Sequence, residues 1–389
     1  MHDWLIKGAL LFDGLGSPPV EADLSMAGGL ISGIGKDLGA ARQNMDARGL
    51  FLSPGLIDLH AHYDAQALWD PSLSPSCSLG VTTVLAGNCG FGIAPNKVQH
   101  RDVLLKNLSV AEGMDLDALR QGVSWSFESF EEYLAALRKA KPWLNMAVFA
   151  QHSTIRIAVM GEDAALRSAT EKEIELMRWE VARALRAGAI GFASSFAPNH
   201  GGWERSPMPS SVADVAELRA LIEVLGQEQR GVFMMANGSP VTSEDLAAFH
   251  QLNGTQLKLM CDAGFGLHFL GHWVRDRQAM NWSEGIAKLT SEPARRYRIA
   301  NRGRLEVGCW ADVMLFDPIQ VGISAEKRVC DLPPEKGHKP ASRLIRRPNG
   351  LAGVWVNGTR VFDGQSALGG IVGPGQVLDQ FQWGIQGVE

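Results

Sequence analysis

Apolar and polar positions along the chain fall into two textures. Over the first 50 positions the apolar residues come in short runs of strand length, WLIKGALLFDG, ADLSMAGGLISGIG and then LFLSPG, each cut by a glycine turn. The same texture returns in ADVMLFDP, Ala311 to Pro318, and GVWVNGTRVFDG, Gly353 to Gly364. KGALLFDG and NGTRVFDG even share their strand and turn chemistry, although hairpins of this kind also arise by coincidence. Both ends are expected to be all-β. Between them, the buried-strand candidates LIDLHAH, VTTVLAG, NMAVFAQH, AIGFASSF and GVFMMANG alternate with amphipathic helices, the pattern of βα units around a parallel sheet. One such helix, TEKEIELMRWEVARALRAG, carries Thr170 as its cap, Glu173 as the capping-box partner and Gly188 as its stop. A second, SVADVAELRALIEVLGQEQRG, is expected to end at Gly231.

The rhythm breaks after Gly238. Only Ser239 to Gln256 separate MMANG from the next apolar run, LKLMCD, whereas each unit of a full eight-stranded barrel takes roughly 30 residues. The pattern therefore predicts an α/β fold with a (β/α) TIM-like barrel that is incomplete, the deletion falling between about 238 and 257. The terminal segments, 1–55 and 302–389, are expected to be all-β and 56–301 to hold the barrel.

Composition narrows the function classes. The chain of 389 residues is 46% hydrophobic and 20% charged, with a formal net charge of −5, which gives no electrostatic basis for binding nucleic acid or an anionic membrane surface. No run of 18 apolar residues and no leader-like N-terminus occurs, so a cytoplasmic protein is expected. Five cysteines, Cys77, Cys89, Cys261, Cys309 and Cys330, are scattered and odd in number, which argues for reduced thiols over a disulfide framework.

The candidate chemistry sits at two strand ends. In IDLHAHYD, residues i and i+2 of a strand point to one face, so His60 and His62 project together at the C-terminal end of the first barrel strand, where barrel active sites are built. Paired imidazoles suit Zn²⁺; two partly exposed histidines at a strand end are the plainer alternative. Asp58 or Asp64 could orient an imidazole, or act as a cap or turn residue. Cys89, in GNCG after VTTVLA, ends the neighbouring strand and could add a thiolate; packing beside the turn glycines accounts for it equally well.

SPGLIDLHAHYDAQALWDPSLSPSCSLGVTTVLAGNCGFGIAP resembles the front of the N-acyl-D-amino-acid deacylases, the D-aminoacylase branch of the metal-dependent amidohydrolase superfamily. LTSEPARRYRIANRGRLEVGCWADVMLFDP and VWVNGTRVFDG resemble the closing barrel helix and sandwich strands of that superfamily. The resemblance implies an amidohydrolase-type barrel with one or two zinc ions, beside a sandwich made from both termini. It further implies hydrolysis of the amide bond of an N-acyl-D-amino acid, a small-molecule substrate, to a carboxylate and a D-amino acid. By motif, His60, His62 and Cys89 match the family's metal ligands, while no catalytic residue is assigned.

The rest of the family's site has no match. An S-D-x-G-A-H-like segment carrying an aspartate should precede the C-D-A run, yet Leu252 to Gln256 stand there before Cys261 and Asp262, and Asp262 does not take that role. Two later-strand histidines are also expected by resemblance. His152 and His200 sit where active-site loops belong, His250 reads as a surface residue of a helix, and His268 with His272 has i, i+4 spacing that suits packing or a lid as well as ligation. HGGWERSPMPS reads as an ordered functional loop. The alternatives are a catalytically degenerate homologue, a cyclic-amide hydrolase of the same superfamily, or a partial barrel completed as a homo-oligomer.

Overall fold

The computed structural model describes residues 1–236, 264–332 and 341–382. Strands from both ends share one eight-stranded sheet. Its order is Thr359–Phe362, Leu351–Val356, Val313–Phe316, Phe51–Pro54, His2–Leu11, Val20–Ala27 and Leu30–Gly35, with Ala41–Asp46 pairing alongside His2–Leu11. Alternating side chains of these strands, among them Ile6, Leu24, Met26, Leu52 and Leu315, close over the buried Trp355 to form one apolar core. The matched β texture of the two ends is thus a shared sheet.

Among the described residues five parallel strand runs follow in chain order: Leu56–Asp58, Val81–Ala86, Asn145–Val148 continuing as Ala150–Gln151, Gly191–Ser195 and Val232–Ala236. All but the first are buried along their whole length, as strands covered on both faces must be. Helices fill the crossovers. Glu171–Ala187 is capped by Thr170 and Glu173 in a capping box and ends at Gly188 in the left-handed region, as its sequence predicts. The next helix, Val215–Glu228, stops short of Gly231, because Gln229 itself adopts the left-handed cap. The proposed gap between about 238 and 257, with His250, Cys261 and Asp262, lies outside the described residues.

SPG joins the two regions. Gly55 lies between the terminal-sheet strand Phe51–Pro54 and the first barrel strand, and a Cβ there would fall 2.1 Å from Thr82 Cγ2. Only glycine fits this crossing. A buried polar cluster ties the same junction: Arg302 pairs with Asp312 and donates to Asn357 Oδ1 at 2.8 Å. Asn145, on a barrel strand, donates to Asp312 at 3.1 Å, and Asn357 donates to Asn145 Oδ1 at 2.9 Å.

Candidate metal centre

The first barrel strand ends at Asp58, so His60 and His62 stand just beyond it and not on it. The Asp58 carboxylate accepts the backbone N–H of His60 at 3.0 Å, a local bond that competes with strand pairing. The segment stays beside the next strand through Ala61 N–H donating to Leu85 O at 3.0 Å. Both imidazoles still face one way, their ring centroids 5.2 Å apart.

Cys89 arrives from the second strand. The turn Asn88–Gly90 follows Gly87, and Gly87, Cys89 and Gly90 all have positive φ, at 78°, 58° and 76°. For the glycines this is free; for Cys89 it costs on the order of 1–3 kcal/mol, a strain that clusters at functional sites. The turn brings Cys89 Sγ within 3.2 Å of His60 Nε2. Ligand atoms of His60, His62 and Cys89 all lie within 4.8 Å of one another, and the three residues are 8%, 8% and 2% exposed.

The surroundings suit a cation. Both ring nitrogens of His62 are buried without a hydrogen-bond partner, a costly arrangement that a bound ion would relieve. Burial pushes the His60 imidazole down to about 4, with His200 adding to the effect, and holds His62 well below the ordinary 6.5. Both are therefore neutral at pH 7, the state that binds metal. The donor set of two imidazoles and a thiol is one that zinc accepts.

Phe91, directly after GNCG, stacks on His62 with centroids 5.3 Å apart. His200 meets Phe91 edge-on at 5.4 Å and is held by Ser195 Oγ at 2.7 Å from its Nδ1. It is only partly buried and thus borders the centre, as its loop position suggests. HGGWERSPMPS is ordered around short turns at Trp203–Arg205 and Pro209–Val212.

Other candidates take different parts. Asp64 accepts from Gln151 Nε2 at 2.7 Å and from Gly87 N–H at 3.1 Å, bracing the strand ends, and burial pushes its carboxyl up to about 7. His152 begins the helix His152–Met160 and is fully buried, its Nδ1 2.8 Å from Ser194 Oγ and its Nε2 2.8 Å from Glu217 Oε1. It belongs to an internal network with Arg156, not to the pocket lining. His268 and His272 lie on a helical segment that becomes a π-helix at Phe269–Asp276, their rings stacked 5.1 Å apart. Cys77, Cys309 and Cys330 form no disulfide.

Sequence reasoning missed Glu112. This last residue of the helix Arg101–Glu112 brings Oε1 to 3.3 Å from His62 Nε2. Burial, reinforced by Asp64, raises its carboxyl to about 8.

A run of parallel strands with two imidazoles and a thiol gathered at their C-terminal ends, joined to a sheet built from both termini, is the layout of a (β/α) barrel with a candidate metal site. The amidohydrolase family profile matches in two stretches, residues 43–256 and 234–362, and the chain belongs to that family. It is similar to D-aminoacylase of Alcaligenes xylosoxydans xylosoxydans, 40% identical over 194 residues, covering 49% of this chain and 37% of that one. N-acyl-D-glutamate deacylase of the same organism is 26% identical over 486 aligned positions, covering 92% and 93% of the two chains. That alignment is longer than this chain of 389 residues, so the relative holds residues without a counterpart here. The chain spans little more than a third of the length of the first two curated relatives it matches, at 37% and 36%.

The fold is that of the D-aminoacylases, a barrel with a β-sandwich. The zinc- and phosphonate-complexed N-acyl-D-glutamate deacylase from Bordetella bronchiseptica superposes with a TM-score of 0.77 at 24% identity, covering 97% of this chain and 100% of that one. A D-aminoacylase with a binuclear metal centre gives 0.75 at 23%, covering 98% and 100%.

Proposed function

We propose that the protein is a metal-dependent hydrolase of the amide bond of N-acyl-D-amino acids, releasing a carboxylate and a free D-amino acid. The observation that carries this reading is the convergence of His60, His62 and Cys89 ligand atoms within 4.8 Å in a chain of the amidohydrolase family. The names of its relatives, D-aminoacylase and N-acyl-D-glutamate deacylase, supply the substrate class.

His60, His62 and Cys89 would hold zinc, which when bound polarises a carbonyl and makes water nucleophilic at neutral pH. The protein's own groups prepare that site. Burial keeps both imidazoles neutral with their lone pairs available, and the strained GNCG turn fixes the thiol beside His60. Phe91 excludes water on one side of His62. His200, partly exposed and in edge-on contact with Phe91, would meet the bound substrate.

Residues 1–55 with 302–389 would form the sandwich and 56–301 the barrel, in a cytoplasmic enzyme. Among the described residues no helix is long and apolar enough to cross a membrane. An internal deletion near 238–257 is supported by the family match falling in two stretches that overlap at 234–256. The edges it would leave favour pairing with another copy.

A second reading, a metal-binding homologue without turnover, is favoured by one observation. His152 is engaged internally with Ser194 and Glu217, and the fifth strand, Val232–Ala236, carries no histidine. The two readings separate in a stereospecific assay on the zinc-loaded full chain. D-amino acid release from N-acyl-D-substrates but not from L-enantiomers, abolished in His62→Ala, is expected of the enzyme; zinc binding without release on that panel would support the second reading instead.

A further inference from the structure

Three features of Glu112 are individually unfavourable. It is the last residue of the helix Arg101–Glu112, where a negative side chain meets the negative end of the helix dipole. Its side chain is only 18% exposed. Among the described residues no lysine or arginine pairs with it, and its one close ionic contact is the His62 imidazole. A group in this position stays protonated unless a cation stands beside it, and among the described residues the protein's own side chains provide none.

The contact with His62 indicates where such a cation would sit. Glu112 Oε1 stands 3.3 Å from His62 Nε2, yet that nitrogen makes no hydrogen bond, so the oxygen approaches off the ring's bonding direction. Two donors sharing one ion behave this way: with bonds of about 2.0–2.1 Å at a tetrahedral angle they stand roughly 3.3 Å apart without bonding to each other. His60 Nε2 and Cys89 Sγ show similar spacing at 3.2 Å. Glu112 touches the group of His60, His62 and Cys89 at its His62 side. Rotation about its side-chain torsions can bring the carboxylate inward.

We propose that Glu112 is a fourth ligand of the metal centre, so that two imidazoles, one thiolate and one carboxylate hold the ion. This rests on the metal-site reading above and deepens it: the chain would complete its coordination from a helix after the second strand. Four protein donors make a closed site in the ground state, so a substrate or water must displace or share the place of the carboxylate. Glu112 thereby governs access to the ion as well as its affinity.

Chelator competition on the full chain tests this with zinc alone as the probe. Glu112→Gln should weaken zinc binding by more than the roughly 10–100-fold that losing an outer-shell partner costs, while the metal-free melting temperature stays at the parent's. Glu112→Asp should recover part of the affinity. Zinc bound by Glu112→Gln within about 100-fold of the parent, no more than an outer-shell partner costs, would overturn the proposal and leave the metal-site reading standing. A parent that binds no zinc would overturn both. Should Glu112→Gln fail to fold, a zinc-loaded crystal structure of the parent decides: the carboxylate at bonding distance is expected, and a carboxylate turned away from the ion contradicts the proposal.

Discussion

Cys89 Sγ lies 3.2 Å from His60 Nε2, across 29 positions of sequence. The approach depends on a turn that no ordinary residue pattern would adopt, with positive φ at Gly87, Cys89 and Gly90. The cysteine is held there by backbone geometry before any ligand binds.

Gly90 is the sensitive point of that turn. A Cβ at this position would fall 2.6 Å from Ala193 O and 2.8 Å from Ser194 Cα, on a backbone of φ +76°. Gly90→Ala should destabilise the fold by about 1–3 kcal/mol and move Cys89 away from His60. Denaturant unfolding and zinc affinity should both fall; parent-like values in both would show that the turn does not set the thiol.

The extent to which this centre is legible in the sequence follows from locality. His60, His62 and Cys89 sit in short motifs at strand ends, where period-two alternation and β-branched runs predict the placement even though the first strand stops at Asp58. The Thr170 cap and Gly188 stop are similarly local, and the helix between them forms as its pattern indicates. Glu112 is different. In SVAEGMD it has no helix-face partner or motif, and its meeting with His62 depends on how the helix Arg101–Glu112 returns over the strand ends. His152 fails as a pocket residue for the same reason: Glu217, which fixes it internally, is 65 positions away.

Acid should loosen that internal network. Burial lowers the His152 imidazole below 6.5, partly offset by Glu217; burial raises Glu217, but the bonds and charges of His152 and Arg156 outweigh it and hold the carboxyl below 4.5. Both groups bind fewer protons folded than unfolded. The stability they contribute is therefore present above 6.5 for His152 and above 4.5 for Glu217, and is lost as pH falls below each value. Melting temperature of the metal-free protein should decline in those two stages; Glu217→Gln should remove the lower one. A melting temperature that holds steady as pH passes both values would contradict this.

The Arg302–Asp312 pair should matter for joining the terminal sheet to the barrel. Asp312→Ala leaves a buried guanidinium without its counter-charge and should cost about 3–5 kcal/mol in denaturant unfolding. Replacing both partners by apolar residues, in Arg302→Met with Asp312→Leu, should cost less than the single change. Equal or greater loss in the double variant would assign the effect to packing.

The account turns on His60, His62 and Cys89 forming a metal centre, and zinc titration of the metal-free full chain tests it most directly. Saturable tight binding that is lost in His60→Ala, His62→Ala and Cys89→Ala, each still folded by circular dichroism, is the predicted result. No saturable zinc binding, or binding that survives all three substitutions, would contradict it.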